Sequence, residues 1–259
     1  MARTLSLFTH LVVITGAAIF AYATAHADAA LPPDVQRKTT EIPKEKPQAA
    51  NPEKTDMRGV NKKDLASLKA LNEKYRKAKS ITMDVSKDVK LGLVGSQRHS
   101  SGKLQLASGQ LKMELEGSEH TMLIVNKKNV FAITYPDKAL QGAAIQVIKG
   151  DVASKKAKKQ AQQSALSNLL GPGGFLKSFN PTGVQTDAGV QTYFLSPIGD
   201  SDMTRAQLKV ANGEILELHY WDARDNETTY KFSNTKFDQK VDSKTFNYVP
   251  PANADVMNL

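Results

Sequence analysis

The sequence predicts a mainly β domain with two helices, in which a curved antiparallel sheet has its concave side covered by those helices. Three observations carry this prediction. After residue 80, apolar and polar residues alternate over long stretches, as strands with one covered face require. Short turn signals rich in Gly, Asn and Ser separate those stretches. Helical periodicity occurs in two places only, at 61–78 and 151–170.

Two segments precede the domain. Arg3, the apolar run Leu11 to Ala25 and the small-residue steps Ala25-His26-Ala27 and Ala27-Asp28-Ala29 read as a secretory signal over residues 1–27. Residues 28–60 carry five prolines, no aromatic residue, and equal numbers of basic and acidic side chains. Such a stretch buries too little apolar surface to offset its ordering entropy, so a disordered leader is expected. The folded domain then spans 61–259.

Its first helix has Asn61 as cap and Asp64 in the first turn, with Leu65, Leu68, Leu71, Tyr75 and Ala78 forming one apolar stripe. The period then changes to two. Ile81, Met83, Val85, Val89, Leu91 and Leu93 occupy one face of a first strand, and Lys87 is the single break in it. Leu104 and Leu106, then Leu111, Met113 and Leu115, continue the pattern across the turn Ser108-Gly109. Met122 to Val125 and Val130 to Tyr135 flank the loop Asn126 to Asn129. In the second helix, Leu166, Leu169 and Leu170 join an alanine stripe, Lys155, Lys156, Lys158 and Lys159 crowd the first half, and Gly171-Pro172 stops it. Strands resume at Gln191 to Leu195, Arg205 to Val210, Ile215 to Trp221 (with Leu218 and Tyr220 on one face), Thr228 to Phe232 and Phe246 to Val249; Asn212-Gly213 is a two-residue hairpin turn. A sheet of about ten strands in roughly 200 residues must curl, and helices closing its concave side leave an apolar space suited to a ligand.

The composition narrows the chemistry. With no cysteine there are no disulfides, thiol nucleophiles, thiolate metal sites or acylated lipoprotein anchor. His99, His120 and His219 lack a carboxylate or second histidine at metal-ligand spacing, so no metal and no cofactor is expected. No Gly-x-Ser-x-Gly elbow is present, and the carboxylates of Asp222, Asp225 and Glu227 belong to a polar turn, so binding without catalysis is expected. The net charge of +9 suits an anionic surface or plain solubility. Its basic residues lack the aromatic interleaving of a nucleic-acid platform, and nucleic acid is not expected as a partner. Lys155, Lys156, Lys158 and Lys159 are the expected contact with an anionic membrane or acidic partner.

The order of the motifs resembles the periplasmic outer-membrane lipoprotein carriers, the LolA-like family. The residues that carry it are Gly102-Lys103-Leu104, Tyr135-Pro136-Asp137, Ser164 to Gly171, Tyr220-Trp221-Asp222, Asn226 to Asn234, Phe246 to Pro251, and Asp255-Val256. The resemblance covers most of 62–258. It implies an open, unclosed β-barrel with a helical lid over an apolar cavity. It also implies a monomeric periplasmic carrier that takes acylated lipoproteins or lipids from an inner-membrane lipoprotein-release transporter to an outer-membrane acceptor. The expected cavity residues are Met83, Val85, Leu91, Leu93, Leu104, Leu106, Leu111, Met113, Leu115, Leu218 and Tyr220, under a lid of Leu166, Leu169 and Leu170. Ser108 stands where the family has an arginine associated with lid closure, so the lid here is expected to rest more open, or to be held by apolar contacts of Leu166, Leu169 and Leu170 alone. The alternative reading is an envelope sensor that uses the same sheet to bind a lipidated signal and a protein partner.

Overall fold

The computed structural model describes residues 59–137, 139, 142–153, 165–170, 174–199 and 201–259, within the second of the two units into which the chain divides, Met57–Leu259. The signal, nearly all of the leader, Lys155 to Lys159 and Gly171-Pro172 lie outside the described residues. Helix α1 spans Lys62–Lys77. Its cap is the expected one: the Asn61 side-chain oxygen accepts from the Asp64 amide at 2.9 Å. No helix among the described residues is long and apolar enough to cross a membrane.

Twelve strands form one sheet. They are β1 (Ser80–Lys90), β2 (Gln97–Ala107), β3 (Gln110–Gly117), β4 (His120–Val125), β5 (Asn129–Tyr135), β6 (Gln146–Asp151), β7 (Phe179–Asp187), β8 (Val190–Pro197), β9 (Met203–Ala211), β10 (Glu214–Asp222), β11 (Glu227–Phe237) and β12 (Asp255–Asn258). Helix α2 (Ala165–Leu170) lies between β6 and β7. The order across the sheet is β12-β6-β5-β4-β3-β2-β1-β11-β10-β9-β8-β7. β7 and β12 are its two edges, so it is unclosed, and every ladder is antiparallel except β6–β12. The long-range pairing of β1 with β11 joins two meanders into that one sheet.

Tight hairpins set the register. Ser108-Gly109, Ala188-Gly189 and Asn212-Gly213 each place two successive residues at positive φ, with values from 45° to 83°. That is the I′ geometry whose twist matches the flanking strands.

The inner face of the sheet wraps α1. Leu68, Leu71 and Tyr75 share one buried core with Met83 and Val85 on β1, Leu104 on β2, Leu115 on β3, and Leu208 and Leu218 on β9 and β10. Gly102 marks a pinch in this face: a Cβ there would collide with the Glu114 carbonyl oxygen of β3. A second, smaller core lies on the outer face. Met122, Ile124, Phe131, Ile133 and Val147 are covered there by Tyr248 and Ala254 of the C-terminal segment. The Phe131 and Tyr248 rings meet edge to face at 5.2 Å.

Three expectations are corrected. The first strand ends at Lys90, not Leu93, because Gly95 adopts φ 64° and closes a turn in which its amide donates to the Leu91 carbonyl. Phe246 to Val249 is not a strand: Phe246 ends a 3₁₀ turn (Ser243–Phe246), and the last strand is the parallel β12 after the Pro250-Pro251 pair. The second helix does not begin at 151, since Asp151 closes β6 opposite Asn129.

Candidate functional site

The inner face is not uniformly sealed. Near α1 it is closed core. Towards β4–β6 it becomes a strip of partly buried apolar side chains, and the register shows which residues belong to it. Leu106 pairs with Leu111, Leu111 with Val125, and Met113 with Leu123. Directly opposed residues of an antiparallel pair share a face. Hence Leu123 and Val125 share the inner face with Leu106. Opposite them on β5 stand Ala132 and Val130, followed by Ile148 on β6. Leu106, Leu123 and Val125 pack against the margin of the main core without being buried. Such an apolar margin is where a chain-like apolar ligand could be held.

The expected cavity residues divide into three groups. Met83, Val85, Leu104, Leu111, Met113, Leu115 and Leu218 are on the inner face but buried in the core. Leu106 and Tyr220 are on its partly open margin. Leu91 and Leu93 are on neither, because both follow the end of β1, and Leu93 is 89% exposed at the turn tip. Leu123, Val125, Val130, Ala132 and Ile148 were not anticipated.

Helix α2 lies on this inner core. Leu166 and Leu169 are each 1% exposed within it, and Leu170 packs beside them. The chain just beyond α2 is pinned to α1. Gly174, at φ 69°, abuts the Asn72 side chain, where a Cβ would collide. The Asn72 side-chain oxygen accepts from the Leu176 amide at 3.2 Å, and Phe175 is fully buried. Ser108 sits exposed in the β2–β3 turn at φ 52°, with its amide 3.5 Å from the Lys79 carbonyl. A separate groove of about 520 Å³ runs between α1 and the β7–β8 and β9–β10 turns, with a mixed lining that includes Ser67, Leu71, Lys74, Thr186, Tyr193 and Gly213.

The polar clusters have local structural partners. His99 Nδ1 lies 2.6 Å from Asp88, whose carboxyl is held below its ordinary pKa chiefly by that hydrogen bond. His219 lies 3.6 Å from Glu227, with its ring against Trp221. Burial lowers the pKa of His219 despite the neighbouring carboxylates. The carboxylate of Asp222 accepts from the amides of Arg224 and Asn226, which makes it the brace of the β10–β11 turn.

The β3–β4 hairpin brings Glu114, Glu116 and His120 within 4.8 Å of one another, a grouping that sequence spacing did not suggest. His120 stacks on Tyr135 at 3.9 Å. Burial works to raise the Glu114 pKa, but Lys112, at 3.1 Å, and His120 hold it below the ordinary range. A cation at this cluster would have to compete with Lys112.

An unclosed, mostly antiparallel sheet wrapped around a helix, with a partly buried apolar strip on its inner face, is the architecture these residues build. The chain belongs to the outer membrane lipoprotein carrier protein LolA family, whose profile matches residues 76–249. Several solved structures are similar. An uncharacterised conserved protein from Thermus thermophilus is 10% identical at a TM-score of 0.44, over 75% of this chain and 99% of that one. A LolA-superfamily protein from Nitrosomonas europaea is 9% identical at 0.37, over 70% and 97%. Lipoprotein LppX of Mycobacterium tuberculosis is 12% identical at 0.34, over 69% and 96%. Comparison with curated protein sequences gave no significant match.

Proposed function

We propose that this protein is a periplasmic carrier that binds acyl chains of lipoproteins, or of lipids, and moves them from the inner to the outer membrane without chemical change. The observation that carries the reading is the strip of partly buried apolar residues, Leu106, Leu123 and Val125, at the margin of a core capped by Leu166 and Leu169 of α2. Each methylene taken out of water contributes about 0.8 kcal/mol, so a long acyl chain crosses an aqueous space only when covered. Family membership supports the same reading. In it, residues 1–27 direct export, 28–60 are a leader to the carrier domain, and α2 serves as the lid. An inner-membrane release transporter loads the cargo and an outer-membrane acceptor receives it. Ser108 offers one short hydroxyl where an arginine would offer a five-donor fork, so the lid is held by its leucines.

The test is titration of folded, delipidated protein with a fluorescent long-chain fatty acid, with mass spectrometry of gently purified protein alongside. Saturable uptake is expected. A folded sample that takes up no acyl probe and carries no co-purified lipid would overturn the carrier reading.

A further inference from the structure

The β1–β2 turn holds two adjacent apolar side chains out into solvent. Leu93 is 89% exposed and its neighbour Val94 71%. A lone exposed leucine is ordinary on a protein surface, but these two stand side by side on a braced tip. The Leu91 amide donates to the Ser96 carbonyl at 2.9 Å, and the Gly95 amide donates to the Leu91 carbonyl at 2.8 Å. The turn also leans on the β10–β11 turn. The Gly92 amide donates to the side-chain oxygen of the buried Asn226 at 3.1 Å, and the Asn226 side-chain amide donates to Asp222 at 2.8 Å. A Cβ at Gly92 would come within 2.6 Å of the Asp225 carbonyl oxygen, so the two turns are in contact. Folding Leu93 and Val94 back onto the core would break these bonds.

The ionised groups beside the tip balance one another. Lys90 lies 3.4 Å from Glu227, and Arg98 lies 2.8 Å from Glu119. Arg224 and Asp225 are neighbours in the abutting turn, and both are exposed. An anionic surface gains little from such a rim. The apolar area decides what covers the tip. Two aliphatic side chains remove at most about 250 Å² of apolar surface from water, whereas a stable protein interface needs about 800 Å² per partner. Gly92, Gly95 and Ser96, which flank the pair, add almost no side chain to close that gap. A lipid bilayer sets no such minimum, because its acyl chains rearrange around a convex apolar tip.

We propose that the β1–β2 tip is a membrane-docking site, which inserts Leu93 and Val94 into the headgroup–acyl boundary of a lipid bilayer without selecting for anionic lipid. Docking of this kind does not depend on what the inner face carries. The strand directions set how the docked protein stands. β2 runs away from the tip, and β4 runs the same way, since each is antiparallel to β3. Leu106 and Val125, late in those strands, are thus at the far end of the sheet. Leu106 is nine residues beyond Gln97 (106 − 97), about 30 Å along the strand at roughly 3.3 Å per residue. Docking by the tip leaves that end clear of the lipid.

The chain has no cysteine, so a single introduced cysteine takes up a thiol-reactive label alone. Val94→Cys carries the environment-sensitive fluorophore NBD at the tip. Lys127→Cys carries it in the β4–β5 loop at the far end, and Val249→Cys carries it at another apolar residue, 84% exposed. Each full-length protein is mixed with phosphatidylcholine vesicles, with and without phosphatidylglycerol, in low and high salt. Lipids brominated along the acyl chain serve as quenchers, and thermal unfolding is the folding control. The label at 94 is expected to shift to the blue and to be quenched by brominated lipid, while the labels at 127 and 249 stay unchanged. Leu93→Ser in the Val94→Cys protein should lower the lipid partition coefficient about tenfold, the effect of one aliphatic side chain, at an unchanged thermal midpoint. High salt and phosphatidylglycerol should leave the partition coefficient as it is. No change at 94, or an equal shift at 249, overturns the docking site. A shift at 127 overturns the orientation. An unchanged partition coefficient in Leu93→Ser overturns the role of the apolar pair, and binding that requires phosphatidylglycerol and is lost in high salt overturns apolar insertion as its cause.

Discussion

If α2 is a lid rather than part of the core, weakening its contacts has a limited effect on global stability. Leu166 and Leu169 are each 1% exposed. Truncating one fully buried leucine to alanine costs about 2–3 kcal/mol in transfer and cavity terms. For residues of the permanent core, Leu166→Ala with Leu169→Ala would then cost about 4–6 kcal/mol, roughly 10–20 °C of thermal midpoint for a domain of this size. A lid behaves differently. Its contacts contribute only the free energy of closing, so once the lid rests open, further truncation costs nothing more. A six-residue helix is too short to be stable by itself. The double variant is therefore expected to lose little more than the single Leu169→Ala variant. Meanwhile amide exchange at Ala165–Leu170 should accelerate by about a hundredfold for about 2.8 kcal/mol. Urea unfolding of the wild type, both single variants and the double variant gives the first quantity, and hydrogen exchange gives the second. A double-variant loss equal to the sum of the two singles, without selective exchange at α2, would show that α2 is core and that the lid account is wrong.

Two further perturbations follow from the packing. Burial pushes the Tyr75 hydroxyl up to about 12, against the opposing effect of the Ile215 amide that it accepts from at 3.0 Å. A group raised in the folded state stabilises fully below its unfolded value of 10.0 and loses that contribution as pH rises through the folded value. Urea midpoints should thus fall between pH 10 and 12 in wild type and fall less steeply in Tyr75→Phe; equal slopes would refute the assignment. Gly102→Ala forces a methyl group onto the Glu114 carbonyl at the β2–β3 pinch. It should cost about 2–3 kcal/mol, read as a lower urea midpoint, and an unchanged midpoint would show that the two strands separate more easily than their ladder suggests.

What was legible in the sequence depended on whether each face had one environment. α1 was readable from its cap to Tyr75 because one stripe faces the core. β3, β1 as far as Val89 and the Leu104–Leu106 end of β2 were readable for the same reason, but Gln97 to Gly102 carries no apolar residue and reads as a turn where the structure continues β2. β4 and β5 were recognised as strands, but their inner face was not assigned. Met122 and Ile124 alternate with Leu123 and Val125, and both sets are apolar. The C-terminal segment covers the outer set, so hydrophobicity no longer marks a side. This is why the strip residues Leu123, Val125, Val130, Ala132 and Ile148 escaped sequence reading. β7 escaped because Pro181 and Gly183 disguise it, and an edge strand tolerates both. β12 could not be read because its four exposed residues pair in parallel with β6, 109 positions away at Asp255 and Gln146 (255 − 146). Leu93 fits the alternation and yet belongs to a turn, because nothing in the period announces where Gly92 and Gly95 end the strand. The Glu114, Glu116 and His120 cluster arises across a hairpin, and linear spacing within one element does not reveal it.

The account's central claim is that cargo acyl chains lie on the inner face between α2 and β4–β6. The most direct measurement is photocrosslinking with a fatty acid bearing a diazirine along its chain, followed by peptide mapping of the folded protein. The account predicts labelling at Leu106, Leu123 and Val125, competed away by unlabelled fatty acid and reduced in Leu123→Asp. Labelling confined to the groove beside α1, around Thr186 and Gly213, or to the outer face around Tyr248, would contradict it.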